Sequence, residues 1–339
     1  MNLTALNKIA EAMVASDKGL LAADESSGTI KRRFDTISLT STEESRRDYR
    51  EMLFRAEGLG KYISGVILYD ETLRQSAKDG TKLADILVKQ GILPGIKVDT
   101  GAMELPGSPK EKITEGLDGL PKRIAEYAQL GAKFAKWRAV IDIDTDIPTA
   151  YCIHTNAHAL ARYARICQEG GIVPIVEPEV LMDGAHDIDR CAEVTEATLH
   201  AVFRELDLQG VALEGMILKP NMVIAGKKSS KQASVDEVAA RTVISLKRCV
   251  PSAVPGVMFL SGGQSEADAT AHLNAMNAQF RPLPWKLSYS YGRALQDSAL
   301  KTWAGKAENV AAAQKRLIQR SQLNSAACAA KYTGEAAAA

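Results

Sequence analysis

Two lysines stand where a packed strand should reject them: Lys219 in the run LEGMILKPN and Lys136 in FAKWRAV. Lysine in the middle of a buried strand is costly unless it is paired or neutralised. An amine desolvated beside a second cation gives up its proton more readily, and a neutral amine attacks a ketone to form an iminium. Lys219 and Lys136 form such a pair if their strands converge. Iminium chemistry also needs proton carriers, because the carbinolamine must lose water and a carbon–carbon bond must break with proton transfer from a hydroxyl. The run PIVEPEV sets Glu177 and Glu179 on one side of an extended strand, and Asp24 closes the run GLLAAD. One such lysine alone reads equally as half of a buried ion pair with Glu177, Glu179 or Asp24. Lys136, Lys219, Arg138, Arg293 and three carboxylates, all at strand ends, favour a site.

Anion sites are the next requirement. Ser261-Gly262-Gly263 and Tyr291-Gly292-Arg293 each follow an apolar run. Glycines there let backbone N–H groups approach a phosphate, a following helix adds its dipole, and the guanidinium of Arg293 is a fork suited to phosphate oxygens. On its own, Ser-Gly-Gly reads more readily as a plain tight turn. A second anion site is suggested by DESSGTI, where Ser26, Ser27 and Thr29 supply hydroxyls beside Gly28, with Arg32 and Arg33 close behind. Two such sites suit a substrate phosphorylated at both ends. His154 and His158 are four apart on a helical segment but lack the intervening glutamate of a zinc hydrolase motif, so they read as ordinary helix histidines. No nucleotide loop of the G-x-G-x-x-G or G-x-x-x-x-G-K-[ST] kind occurs.

The elements that must position these residues form a regular series. Apolar, β-branched runs end at Asp24, Asp70, Asp99 and Val140, and continue as IVPIVEPEV, EGMILKP, GVMFLSGG and WKLSYSYG. Helical spacing fills the gaps at 118–130, 150–168, 189–206, 234–249 and 265–276. Eight strands alternating with helices predict a single-domain α/β fold, either a closed (β/α)8 TIM barrel or a doubly wound sheet. Chemistry spread over the ends of many strands (Asp24, Lys97, Lys136, Arg138, Glu177, Lys219, Ser261, Arg293) selects the barrel, since a doubly wound sheet gathers its ligand at one switch point. The barrel is expected over residues 1–330, and the tail 331–339, ending GEAAAA, is expected to be mobile.

Composition narrows the function class. The chain has 339 residues, with Lys plus Arg at 42 against 41 for Asp plus Glu, so no long-range field favours nucleic acid or an anionic membrane. The five cysteines are scattered without a C-x-x-C pair, which suggests neither disulfides nor a zinc knuckle and suits the reducing cytoplasm. The first 19 residues lack the apolar core of a secretory signal, and no run approaches the roughly 20 apolar residues of a membrane span.

LAADESSGTI, GIKVDTG, FAKWRAV, ARYARICQEGGIVPIVEPE, LEGMILKPNMV, FLSGGQSE and SYGRALQ, in this order, closely resemble the class I fructose-bisphosphate aldolases. The resemblance runs from about residue 5 to Tyr332. It implies a barrel, usually a homotetramer, that splits fructose 1,6-bisphosphate into dihydroxyacetone phosphate and glyceraldehyde 3-phosphate without a metal or other cofactor. By the same resemblance Lys219 is the Schiff-base lysine and Lys136 helps form and hydrolyse the iminium. Glu177 is the general acid and base, Glu179 its hydrogen-bonded neighbour, and Asp24 orients the C4 hydroxyl. Ser261, Gly262, Gly292 and Arg293 match the C1-phosphate site. Ser26, Thr29 and Lys97 match the C6-phosphate site, with Arg33 a nearby cation and Arg138 a further substrate contact. Thr29 replaces the serine of many members and keeps the hydroxyl. Animal and many plant members end in a tyrosine that assists proton exchange at C3. The sequence here ends in alanines, so either it is truncated or another group, such as Glu177 or water, takes that step, and Tyr332 belongs to a KYT segment rather than to that role. Two rival readings are another lysine Schiff-base barrel, such as a transaldolase or a dehydratase of shikimate metabolism, and an inactive barrel serving as a binding scaffold.

Overall fold

Each apolar run becomes a strand because its branched side chains pack on both faces, and each ends where Asp, Gly or Pro turns the chain outward. In the computed structural model, which describes residues 1–335, the strands are β1 Gly19–Ala23, β2 Ile63–Leu68, β3 Leu93–Lys97, β4 Gly101–Leu105, β5 Ser108–Glu115, β6 Phe134–Ile141, β7 Val173–Val180, β8 Ile217–Leu218, β9 Gly256–Phe259 and β10 Lys286–Tyr291. Eight of them close a parallel barrel in chain order, and β10 returns to pair with β1 through Leu20 and Ser290. Every run expected to be a barrel strand is one.

Several of the helices between them start where a side-chain oxygen accepts an otherwise orphaned N–H. Thr149 caps Ala150–Glu169, Asp187 caps Ile188–Leu208, Ser234 caps Val235–Cys249 and Ser265 caps Glu266–Gln279. Their apolar faces lie on the outside of the barrel. Trp137 of β6 points outward and stacks on Tyr163 of the helix Ala150–Glu169, with centroids 5.6 Å apart. Alternation along the strand therefore turns Phe134, Lys136 and Arg138 inward.

Inside, the floor of the barrel is apolar. Leu20, Ile67, Phe134, Ile175, Ile217 and Met258 pack together, and the amino-terminal helix Leu3–Met13 closes this end with Leu6, Ala10 and Met13. The Phe134 ring fills space that two neighbouring strands leave by carrying glycine: a Cβ on Gly95 would lie 2.1 Å from the ring and one on Gly65 2.8 Å.

One strand pair was not anticipated from the sequence. β4 and β5 form an antiparallel hairpin over the β6 side of the barrel mouth, where Thr114 Oγ1 donates to the carbonyl of Arg138 at 2.7 Å. Of the tail expected to be mobile, residues 331–335 lie against the body: the Tyr332 amide donates to Asn274 Oδ1 at 3.0 Å, and Arg320 pairs with Glu335. Residues 336–339 lie outside the described residues.

Candidate active site

Three adjacent strands deliver the central charges. Lys136 of β6 and Glu177 of β7 point into the barrel mouth, and Lys219 follows β8 directly, its amide donating to the carbonyl of Val176 at 2.8 Å. Lys219 Nζ lies 3.1 Å from Glu177 Oε1, and Lys136 Nζ lies 3.4 Å from Glu177 Oε2 and 2.7 Å from Asp24 Oδ2. One carboxylate thus bridges two lysines that are only 3–4% exposed. Glu177 Oε2 makes no hydrogen bond and is held only by its 3.4 Å ion pair with Lys136.

Burial alone would raise the Asp24 carboxyl, but Lys136 first and Lys219 next outweigh it and hold it down at about 2. Glu177 follows the same logic: desolvation pushes it up, and Lys136, Lys219 and Arg138 together bring it below the usual carboxylate range. Lys136 moves the opposite way. Burial disfavours its charge, yet Asp24, Glu177 and Asp99 raise it above an ordinary lysine, so it stays a cation at neutral pH. Glu179 bonds to Arg138 rather than to Glu177, so the expected bond between the two glutamates is not formed. Arg138 is raised as well: burial opposes its charge and Glu179 more than compensates.

Two polar flanks border this cluster across a cavity of about 640 Å³. On one side Ser26 stands at the start of the helix Ser27–Asp35 without capping it, its hydroxyl 3.2 Å from that of Thr29. Lys97 of β3 completes this flank and bonds to the carbonyl and carboxylate of Asp99. On the other side Ser261, Gly262, Gly292 and Arg293 line the wall, and Gly262 and Gly263 take the left-handed φ values of +58° and +90° that glycine tolerates. Lys97 and Ser261 belong to β3 and the loop after β9, four places apart in a ring of eight, and so face each other across the mouth.

Arg33 sits elsewhere than the sequence suggested. Its guanidinium pairs with Glu25 at 2.6 Å and lies beside Gly292, on the Arg293 flank, whereas Arg32 reaches back to the Thr29 hydroxyl at 3.3 Å. A helix turn separates the directions of adjacent residues, and Glu25, itself held by Arg50 and Gln296, selects Arg33. Glu25 was missed because it stands between two more legible residues, Asp24 and Ser26, and its partners are distant in sequence. His154 and His158 both face Glu205 from an exposed helix surface, at 3.9 and 3.1 Å. Among the described residues no group of His, Cys, Asp and Glu is placed to hold a metal ion.

A hollow of about 770 Å³ at the opposite end of the barrel is slightly larger, but it is bordered by the amino-terminal helix and the segment 281–288, away from the strand ends that carry chemistry.

The family model for class-I fructose-bisphosphate aldolase matches residues 5–339. The chain belongs to the class-I fructose-bisphosphate aldolases. A probable fructose-bisphosphate aldolase class 1 of Xylella fastidiosa is 56% identical over 335 residues, spanning 98% of this chain and all of that protein. Fructose-bisphosphate aldolase 2 of Caenorhabditis elegans is 53% identical, over 98% of this chain and 91% of the relative. Among solved structures, fructose-bisphosphate aldolase from Plasmodium falciparum, crystallised with TRAP and a small-molecule inhibitor, superposes with a TM-score of 0.97 at 52% identity, covering 98% of this chain and 96% of that one. Within this aldolase the lysine and carboxylate cluster is therefore the place to look for the reaction.

Proposed function

We propose that this aldolase cleaves D-fructose 1,6-bisphosphate reversibly to dihydroxyacetone phosphate and D-glyceraldehyde 3-phosphate through an iminium on Lys219. Lys219 passes a proton to the ionised Glu177, 3.1 Å away, and its free amine adds to the C2 carbonyl. Glu177 then returns the proton to the departing hydroxyl, so that water leaves and the iminium forms. Asp24, kept ionised by Lys136, takes the proton of the C4 hydroxyl as the C3–C4 bond breaks. The bonding electrons move into the iminium to give an enamine, and the aldehyde half departs. Protonation at C3 and hydrolysis release the ketone half. The Lys136 cation stabilises the carbinolamine oxygen without itself having to lose a proton.

The observation that carries this reading is Glu177 bridging Lys136 and Lys219 between two facing polar flanks. Ser261, Gly262, Gly292 and Arg293, with Arg33 behind them, would hold the C1 phosphate, and Ser26, Thr29 and Lys97, with Arg32, the C6 phosphate. Paired flanks favour a bisphosphate over the substrates of a one-phosphate Schiff-base barrel. The enzyme would work in glycolysis and gluconeogenesis, in the cytoplasm, where five unpaired buried cysteines are at ease. The homotetramer that is usual for these aldolases is the proposed assembly.

Borohydride reduction in the presence of the bisphosphate, followed by peptide mass spectrometry, tests the mechanism. The expected result is one ketose-derived adduct on Lys219 that vanishes in Lys219→Met together with activity. Activity that survived this substitution but disappeared with a chelator would overturn the proposal.

A further inference from the structure

The Ser261-Gly262-Gly263 loop has a second cation behind it. A Cβ on Gly263 would fall 2.7 Å from Lys227 Nζ and 2.8 Å from Arg293 Nη2, so two positive tips converge on one point of the backbone. Arg293 has no hydrogen-bond or carboxylate partner among the described residues. Like charges held this close repel unless an anion joins them. The one carboxylate at hand is Asp183, whose Oδ1 meets Lys227 Nζ at 3.0 Å, and these side chains are 62% and 39% exposed respectively. Such an exposed pair contributes little and is readily exchanged.

The backbone of Lys227, by contrast, is fixed. Its amide donates to the carbonyl of Met182 at 2.7 Å, flanked by bonds from Gly226 to His186 at 2.9 Å and from Lys228 to Gly184 at 3.0 Å. These bonds zip the loop after β8 to the loop after β7. Gly226 permits the approach, since a Cβ there would lie 2.2 Å from the carbonyl oxygen of Gly184. Met182 of the same zipper reaches to 3.6 Å from a Cβ built on Gly262. Lys227 is therefore anchored beside the glycine loop at its backbone, while its four-carbon arm is free to reorient at its tip.

We propose that Lys227 is a substrate-binding residue of this flank: on ketose binding it exchanges Asp183 for an oxygen of the C1 phosphate, and so sets the affinity for ketoses phosphorylated at C1. The inference rests on the aldolase reading of the site. It makes the loop after β8 part of the phosphate subsite, where the sequence offered only the segments after β9 and β10.

The test is steady-state kinetics on the full-length enzyme with fructose 1,6-bisphosphate and fructose 1-phosphate, which share the C1 phosphate and differ at C6. Lys227→Met should raise KM for both by about tenfold with kcat within about twofold, the signature of a lost uniform binding contact. Lys227→Arg should keep KM within about threefold of the parent. Asp183→Asn, which removes the competing carboxylate, should lower KM for both. Unchanged KM in Lys227→Met, a rise for the bisphosphate alone, or an arginine variant as impaired as the methionine one would each overturn the role. A parent enzyme that formed no borohydride-trapped adduct with either ketose would sink the aldolase reading itself, so the two failures are separable.

Discussion

The floor and the mouth of the barrel are built from the same strands, yet they obey opposite rules. Along β6, Phe134 belongs to the floor, and Lys136 and Arg138, each two residues further on, belong to the mouth. Along β7, Ile175 gives way to Glu177 and Glu179. Each step is about 7 Å. Floor residues act independently and through area: each buries apolar surface, and any one could be replaced by another of similar volume. The central mouth residues act only as a set, because each charge of the cluster is held by its neighbour, Asp24 by Lys136, Lys136 by Glu177 and Glu177 by Lys219. A closed ring permits both, since it excludes water from its base and leaves its upper rim partly wet.

Three experiments break or sharpen that contrast. The largest effect is expected at the floor: Phe134→Ala opens a cavity that Gly65 and Gly95 have no side chain to fill, and should cost about 3–5 kcal/mol in denaturant unfolding. A smaller loss would mean that the floor collapses around the gap. Next, Lys136→Ala in the mouth should slow adduct formation on Lys219 by about 100-fold, roughly 3 kcal/mol in the barrier, rather than weaken binding alone. Rapid-quench borohydride trapping measures this, and an unchanged adduct rate argues against the lysine pair. The smallest effect is on acid stability. Asp24 is held at about 2 against an ordinary 3.8, so its contribution is complete above about pH 4 and is lost as the pH falls through 2. The depression is worth about 2 kcal/mol. Unfolding followed from pH 4 to 2 should therefore be steeper in the parent than in Asp24→Asn, and parallel curves would show that the pairing adds nothing.

The contrast also explains what could be read in advance. Barrel strands were legible because burial on both faces demands unbroken apolar runs, and an inward lysine inside such a run, as at Lys136 or Lys219, stands out as an exception needing a reason. The hairpin of β4 and β5 escaped because most of its side chains are exposed or half-exposed, so it carries no apolar period. Its one local signal, the turn pair Pro106-Gly107, was available. The departure of Arg33 to the Arg293 flank was not legible, because it depends on Glu25 being gripped by Arg50 and Gln296. Lys227 escaped for the same reason, since its place follows from a zipper between two loops rather than from any motif.

The pairing of β10 with β1 has a consequence for how the protein is made. Asp24 emerges early in synthesis, Lys219 much later, and Arg293 near the end, after the last strand. An amine prepared to condense with carbonyls would be a hazard in a half-finished polypeptide surrounded by metabolic aldehydes. Here the cavity around that amine, which includes Ser290, Gly292 and Arg293, is complete only after the final strand has sealed against the first.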